Sequence, residues 1–163
     1  MPDKATIDRA NRDKRQGKSA STQAGEFVRA EIDKIREGKT GARSAKQAIA
    51  IGLSEARRAG VDLKPPAKGS VSEKTRKSSA RAYAKGQRHE PIDATRSRAS
   101  EKSMKREGHA AGSSRALSRQ AKSASEKRGA AARSASASRA AATKGPKGRS
   151  RAAKKGARTR AGR

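Results

Sequence analysis

The scarcity of large apolar side chains constrains the fold of this chain more than any other feature of its sequence. Leu, Ile, Val and Phe together account for 13 of the 163 residues. A share far below about 20%, combined with a high net charge, is typical of disordered chains. Alanine contributes another 34 residues, but a methyl group buries little apolar area. The composition therefore predicts a mostly disordered protein with one small all-α element.

Nine of those 13 large apolar residues lie between positions 27 and 63. Their spacing is helical, and it predicts helices over about 23–37 and 45–59. Because a short glycine-containing turn separates the two segments, we interpret residues 22–66 as an antiparallel helical hairpin. The side chains expected to pack in this hairpin are Phe27, Val28, Ile32, Ile35, Ile49 and Leu53.

The ends of both predicted helices carry capping residues. Thr22 is the expected N-cap of the first helix, and Gly38 stands at the position of a C′ glycine. Ser44 and Gln47 form a capping box at the start of the second helix, which Gly60 ends. These signals support two separate helices with a turn between them.

The predicted hairpin is small. Two short helices bury too little apolar area to offset the conformational entropy lost when they become ordered. We therefore expect residues 22–63 to form a homodimer or to dock on a partner.

Two runs in the hairpin resemble a known family. The second helix contains KQAIAIGLSEA at residues 46–56, and the first begins with AGEFVR at residue 24. Over about residues 22–66 the chain resembles small basic bacterial proteins that are catalogued as a domain of unknown function. The resemblance implies a bacterial source and supplies no catalytic residue. The Ala/Lys/Arg/Ser composition of the C-terminal tail resembles that of histone-like proteins, which implies nucleic-acid binding.

The other segments have no apolar face to bury. Residues 1–21 are predicted to be a polar N-terminal arm. Residues 67–129 are predicted to be a basic, weakly helical region whose helices are only nascent, because isolated polar helices are marginal in water. Residues 130–163 form a low-complexity Ala/Arg/Lys/Ser tail, for which we expect disorder.

Positive charge is concentrated toward the C-terminus. The formal net charge is +28, and residues 67–163 carry +22 of it. From Lys127 to Arg163 there are 13 basic residues and no acidic one. A run of this density predicts contacts with nucleic-acid phosphates. The expected phosphate contacts are Arg115, Arg119, Lys122, Lys127, Arg128, Arg133, Arg139, Lys144, Lys147, Arg149, Arg151, Lys154, Lys155, Arg158 and Arg160.

Base-specific recognition is not expected. Lys46, Arg57 and Arg58 are the only side chains of the second helix that we expect to reach base edges in a groove of the duplex. Stacking on single strands needs several aromatic rings, and Tyr83 is alone in the basic region. The sequence therefore favours sequence-nonspecific DNA binding by a cytoplasmic, nucleoid-associated or histone-like protein. Two alternatives stay open: an RNA- or ribosome-associated basic protein, and a disordered stress-protectant or scaffold protein.

Other function classes receive no support from the residues. The chain has no cysteine and two histidines, His89 and His109, which are too few ligands for a structural zinc site. The composition offers no pocket for catalysis, so we predict neither an enzyme nor a cofactor. A membrane span would need a run of about 20 apolar residues, which the sequence lacks. The N-terminus begins Met1-Pro2-Asp3-Lys4 and has no apolar h-region, so we expect no export signal.

Overall fold

The computed structural model describes residues 2–91 and 93–162. Seven α-helices and one 3-10 turn lie within those residues. In chain order they are α1 (Lys4–Arg15), α2 (Ala20–Arg36), α3 (Ala45–Arg58), α4 (Glu73–Gln87), α5 (Ala94–Met104), the 3-10 turn (Ala110–Gly112), α6 (Ser114–Lys127) and α7 (Gly129–Ala161). The chain divides into two compact units, which we call the N-terminal unit (Met1–Ser118) and the C-terminal unit (Arg119–Arg163).

An antiparallel pair, α2 and α3, lies at the centre of the N-terminal unit. α1 packs on α2, α4 packs on α3, and the 3-10 turn contacts both central helices. The pair corresponds to the predicted hairpin, although α2 begins at Ala20 with Ser19 rather than Thr22 as its N-cap. The hairpin surface that the sequence suggested for a partner therefore carries α1, α4 and the 3-10 turn of the same chain.

The two central helices approach each other closely at Gly52. A β-carbon placed on Gly52 would lie 2.6 Å from Cα of Val28 and 3.0 Å from the carbonyl oxygen of Phe27. Both neighbours are backbone atoms of α2, so a methyl group has no room there. The absence of a side chain at this position allows the two helix backbones to touch.

Small side chains make up most of the buried core. The first buried cluster comprises Ala10, Ala24, Phe27, Ala56 and Val61. The second comprises Ile35, Ala42, Ala48 and Ala111. Six of these nine residues are alanine. Helices that approach at alanine and glycine pack backbone against backbone, and such close contacts stabilise a core with few large side chains.

A second glycine contact joins α4 to the end of α3. A β-carbon on Gly86 would overlap the carbonyl oxygen of Arg57. Nearby, the hydroxyl of Tyr83 donates to a carboxylate oxygen of Asp62 at 2.6 Å. Ala82 of α4 is buried in the same region of the helix. These contacts attach to the central pair a segment that the sequence predicted to be only weakly helical.

Backbone hydrogen bonds connect the end of α5 and the segment after it to the turn between α2 and α3. The amide of Gly41 donates to the carbonyl of Met104, and the amide of Ala42 donates to that of Gly108, both at 3.1 Å. The 3-10 turn then buries Ala111 in the second cluster. The N-terminal unit thus includes much more of the chain than the predicted hairpin.

The capping residues of α3 lie where the sequence predicts them. Ser44 Oγ accepts from the amide of Gln47 at 3.2 Å, and Gln47 Oε1 accepts from the amide of Arg43 at 3.1 Å. Gly38 and Gly60 have φ of +73° and +84°, the left-handed conformation of a C′ glycine. The capping residues therefore define the turn between the two central helices.

A kink interrupts α7 in the C-terminal unit. Gly145 has φ 62° and ψ 175°, outside the helical region, and Pro146 follows it. Proline lacks an N–H, and its ring disfavours helical dihedral angles in the preceding residue. The kink leaves a first segment over 129–144 and a second segment over 147–161. No residue of α7 is buried.

The prediction of a mostly disordered chain with one small hairpin is wrong, and so is the description of the chain as intrinsically disordered. Helices also occupy much of 67–129, where only nascent helices were predicted, and most of the 130–163 tail. In the N-terminal unit, alanine and glycine contacts replace the missing large apolar side chains. In α7, the high helix propensity of alanine favours helix without any buried face.

Candidate nucleic-acid interface

The C-terminal unit carries a positive charge that its own acidic residues barely offset. It contains 15 basic residues and one acidic residue, Glu126. The N-terminal unit contains 28 basic and 14 acidic residues. Half of the net charge of +28 therefore lies on the 45 residues of the C-terminal unit.

All fifteen cations predicted to contact phosphate are exposed. Arg115, Arg119, Lys122 and Lys127 lie on α6, and Arg128 is the N-cap of α7. The other ten lie along α7 at Arg133, Arg139, Lys144, Lys147, Arg149, Arg151, Lys154, Lys155, Arg158 and Arg160. The structure thus presents these side chains on two helices, and their contact with phosphate stays a prediction.

The cations of the two units differ in their ion pairing. In the N-terminal unit, Arg9 Nε lies 2.8 Å from Glu26 Oε2, and Arg43 Nε lies 2.9 Å from Glu107 Oε1. Within residues 119–162, by contrast, no Lys or Arg forms an ion pair. The positive charge of the C-terminal unit is therefore available to an anionic partner.

Two arginines of the first α7 segment bond to backbone oxygens. Arg133 Nη1 donates to the carbonyl of Ser125 at 3.4 Å, and Arg139 Nε donates to that of Ala135 at 3.3 Å. Both acceptors are neutral, so these bonds leave the guanidinium charge uncompensated. Each guanidinium also keeps further N–H donors for a phosphate.

The six residues predicted to pack the hairpin all lie on α2 and α3. Phe27 and Ile35 are fully buried. The half-buried members are Val28, Ile32, Ile49 and Leu53. All four are therefore covered in part, and Leu53 packs against the first buried cluster.

Arg57 has a structural role that the sequence did not reveal. It is only 6% exposed, and its guanidinium donates to the carbonyl of Leu63 at 3.0 Å and to that of Leu53 at 3.4 Å. Burial lowers its pKa. Arg57 therefore holds the segment after α3 against the helix, which leaves only Lys46 and Arg58 of α3 exposed to a nucleic acid.

The N-terminal unit also contains a cavity of about 590 Å³. Acidic and basic side chains line it in equal numbers: Asp3, Glu31, Glu55 and Glu101 against Lys34, Lys39, Arg58 and Arg96. Its charge is therefore balanced, in contrast to that of the C-terminal unit.

Two carboxylates of this cavity have perturbed acidity. Glu31 is 2% exposed, and its Oε1 has no hydrogen-bond partner among the described residues. Burial, followed by the charge of Glu55, raises the pKa of Glu31. Burial also raises the pKa of Glu55, against the opposing charge of Lys34. This pair was not predicted from the sequence, although Glu31 lies four residues from both Phe27 and Ile35 and so shares their buried face.

Metal-ligating side chains are not grouped in the described part of the chain. No three His, Cys, Asp or Glu residues within 2–91 and 93–162 are arranged to hold a metal ion. His89 and His109 are both exposed. Over the same described ranges, no helix combines the length and the apolar character needed to cross a membrane.

Comparison with known proteins gives a match over part of the chain. No curated protein and no solved structure matches this chain. The matched segment begins within α1, includes α2 and α3, and ends before α4, so it lies in the N-terminal unit. Residues 12–68 are similar to a family of unknown function, DUF6496, which confirms the predicted resemblance to a family of that kind.

Proposed function

We propose that this chain is a bacterial nucleoid-associated or histone-like protein that binds DNA without sequence specificity through α6 and α7. One observation carries the proposal: the fifteen cations between Arg115 and Arg160 are all exposed, and within the described residues none forms an ion pair. Each phosphate that such a cation neutralises releases a counterion, which favours binding to any DNA sequence.

The residue types of the C-terminal unit favour phosphate contacts over base recognition. The unit contains no aromatic residue, so it cannot stack rings on unpaired bases. Adenine recognition in the major groove uses Asn or Gln, and Gln120 is the single such residue in the unit; its Arg and Lys side chains can contact guanine, but they bind the phosphates of any sequence. We therefore expect affinity to depend on salt and on the number of phosphates rather than on base sequence.

Helical order strengthens this proposal. α7 runs over Gly129–Ala161, and its backbone holds ten of the cations in defined positions. A side chain on an ordered helix loses less conformational entropy on binding than one on a disordered chain. The arrangement therefore favours multiple simultaneous phosphate contacts.

Charge neutralisation in the full-length protein tests the proposal. In the arm variant, all ten α7 cations are replaced by Gln. In the control variant, ten exposed cations of the N-terminal unit are replaced by Gln, namely Arg12, Lys14, Arg15, Lys46, Lys64, Lys68, Lys74, Lys77, Arg81 and Arg98. Both variants lose the same charge, so a difference between them reports where DNA binds.

Fluorescence anisotropy with a labelled DNA duplex of mixed sequence, over a range of salt concentrations, provides the measurement. With about 6–10 phosphate contacts, the wild-type affinity should fall by roughly 10³–10⁵ between about 50 and 200 mM salt. The arm variant should lose most of its affinity and of this salt dependence, whereas the control variant should retain most of both. Equal losses in the two variants would contradict the proposal.

Competition separates DNA from RNA as the partner. Unlabelled RNA and DNA duplexes of equal length are added to the protein–DNA complex at fixed salt. We expect RNA to displace the labelled DNA no better than unlabelled DNA does. Displacement by RNA at much lower concentration would replace this proposal with an RNA- or ribosome-associated role.

A further inference from the structure

Four cations of the second α7 segment lie on one face of the helix. Lys147, Arg151, Lys154 and Arg158 follow one another at intervals of four, three and four residues. At about 100° per residue, this spacing keeps them within an arc of about 60° along about 16 Å of helix. We call these four residues the cationic stripe.

One side of the cationic stripe carries only short side chains. By the same helical geometry, Ser150 and Ala157 lie on that side, and Lys155 and Gly148 lie on the other. Arg149 and Arg160 lie on the opposite face. All four stripe residues are exposed, so a partner can approach the helix surface along the whole stripe.

The described chain does not neutralise the stripe. Residues 129–161 contain no Asp or Glu, and no described residue makes an ion pair with a stripe side chain. Like charges three or four residues apart destabilise a helix. Gly148 and Gly156 lower the helix propensity of the same segment further. A row of anions beside the stripe would remove the repulsion and stabilise this helix.

We propose that the cationic stripe docks as a helix along one row of phosphates of duplex DNA, an inference that rests on the DNA binding proposed above. Each strand of a duplex presents one phosphate per about 3.4 Å of its axis, so a row as long as the stripe offers several partners. The duplex holds these phosphates in fixed positions. A flexible single strand presents no such row.

A charge permutation tests the stripe at constant composition and net charge. The permuted variant of the full-length protein exchanges neighbouring residues, Arg151→Ala with Ala152→Arg and Ala157→Arg with Arg158→Ala. These exchanges distribute the seven cations of 147–160 around the whole helix. The stripe is lost, while the number of cations stays the same.

The control variant moves two cations outside the stripe, by Arg139→Ala with Ala140→Arg and Thr159→Arg with Arg160→Thr. Affinity for a labelled DNA duplex is measured by anisotropy across salt concentrations, and helix content by far-UV circular dichroism with and without DNA. At about 0.9 per contact, loss of two contacts should reduce the slope of log K against log salt by about 1.8 in the permuted variant. That variant should also gain less helix signal with DNA, whereas the control should match the wild type.

The outcomes separate this inference from the proposed function. If the permuted variant matches the wild type in slope and in helix gain, the stripe does not dock and DNA binding through the cations still stands. If the wild type shows no salt-dependent affinity for duplex DNA, the proposed function itself fails. Equal losses in the permuted and control variants, or equal wild-type affinity for single-stranded and duplex DNA, would also overturn the docked stripe.

Discussion

Replacing Gly52 by alanine adds one methyl group where the backbones of α2 and α3 touch. The new β-carbon would lie 2.6 Å from Cα of Val28 and 2.8 Å from its backbone nitrogen. A flexible side chain could rotate away from such a contact, but a helix backbone cannot. The two central helices must therefore move apart, which loosens the contacts on both sides of the crossing.

Two opposing effects set the magnitude of this change. Alanine in a helix interior is favoured over glycine by about 1 kcal/mol, whereas overpacking a tight contact costs about 1–3 kcal/mol. At Gly25 of α2 a β-carbon would meet no atom within 4 Å, so Gly25→Ala receives only the favourable term. We expect Gly25→Ala to raise the free energy of unfolding by up to about 1 kcal/mol. Gly52→Ala should lower it by up to about 2 kcal/mol.

Urea unfolding of the two full-length variants, followed by far-UV circular dichroism, measures this difference. The two substitutions remove the same backbone freedom from the unfolded chain, so that contribution cancels in the comparison. The expected gap is about 1–3 kcal/mol, toward the upper end because the contacts are with backbone. A Gly52→Ala protein as stable as Gly25→Ala would refute the close approach of α2 and α3.

Three further perturbations test other parts of the structure. Because burial raises the pKa of Glu31, this carboxylate binds a proton more tightly in the folded state than in the unfolded state, so its contribution to stability should fall as pH rises from acidic toward neutral. Glu31→Gln should remove this fall and raise the thermal midpoint at neutral pH. The control Glu126→Gln, at an exposed residue, should change neither. An unchanged dependence of stability on pH in Glu31→Gln would contradict the raised pKa of Glu31. Ser44→Ala removes the N-cap of α3 and should lower the free energy of unfolding in urea by about 1 kcal/mol, and no loss would argue against the cap. Pro146→Ala should extend helix across the kink in α7 and increase the far-UV helix signal, so an unaltered spectrum would count against a proline-induced kink.

The central helix pair could be predicted from the sequence because its signals are local. Ser44 and Gln47 lie three residues apart, and Gly38 and Gly60 follow helical segments directly. Large apolar residues at helical spacing accompany these caps. Each signal needs only a few neighbouring residues, so it can be read without knowledge of the tertiary contacts.

The helices packed around that pair could not be predicted in the same way. α1 buries Ala10, and α4 buries Ala82 and Gly86. Alanine is even more frequent on α7, which has no buried residue, so hydropathy cannot tell a packed alanine from an exposed one. The contact of Gly86 with the carbonyl of Arg57 joins positions almost thirty residues apart, and no local pattern indicates it.

In the candidate interface, the residues could be predicted from the sequence but their arrangement could not. Its cations could be predicted individually, because their number and the presence of a single acidic residue among them are properties of the sequence itself. Their arrangement could not, since the predicted disorder assigned no helical phase to 130–163, and the phase is what brings Lys147, Arg151, Lys154 and Arg158 onto one face.

The positive charge has different structural consequences in the two units. In the N-terminal unit, cations such as Lys18 lie beside acidic residues, here Asp13 at 2.7 Å, and Arg57 is buried against backbone carbonyls. Removing such residues would disturb packing. In the second segment of α7 no residue is buried, so the positions of its cations are constrained by helix propensity and by mutual repulsion. A regular stripe adds repulsion without adding any contact within the described chain. Helix stability alone would therefore favour dispersed charges, and the stripe gains an advantage only when anions lie beside it.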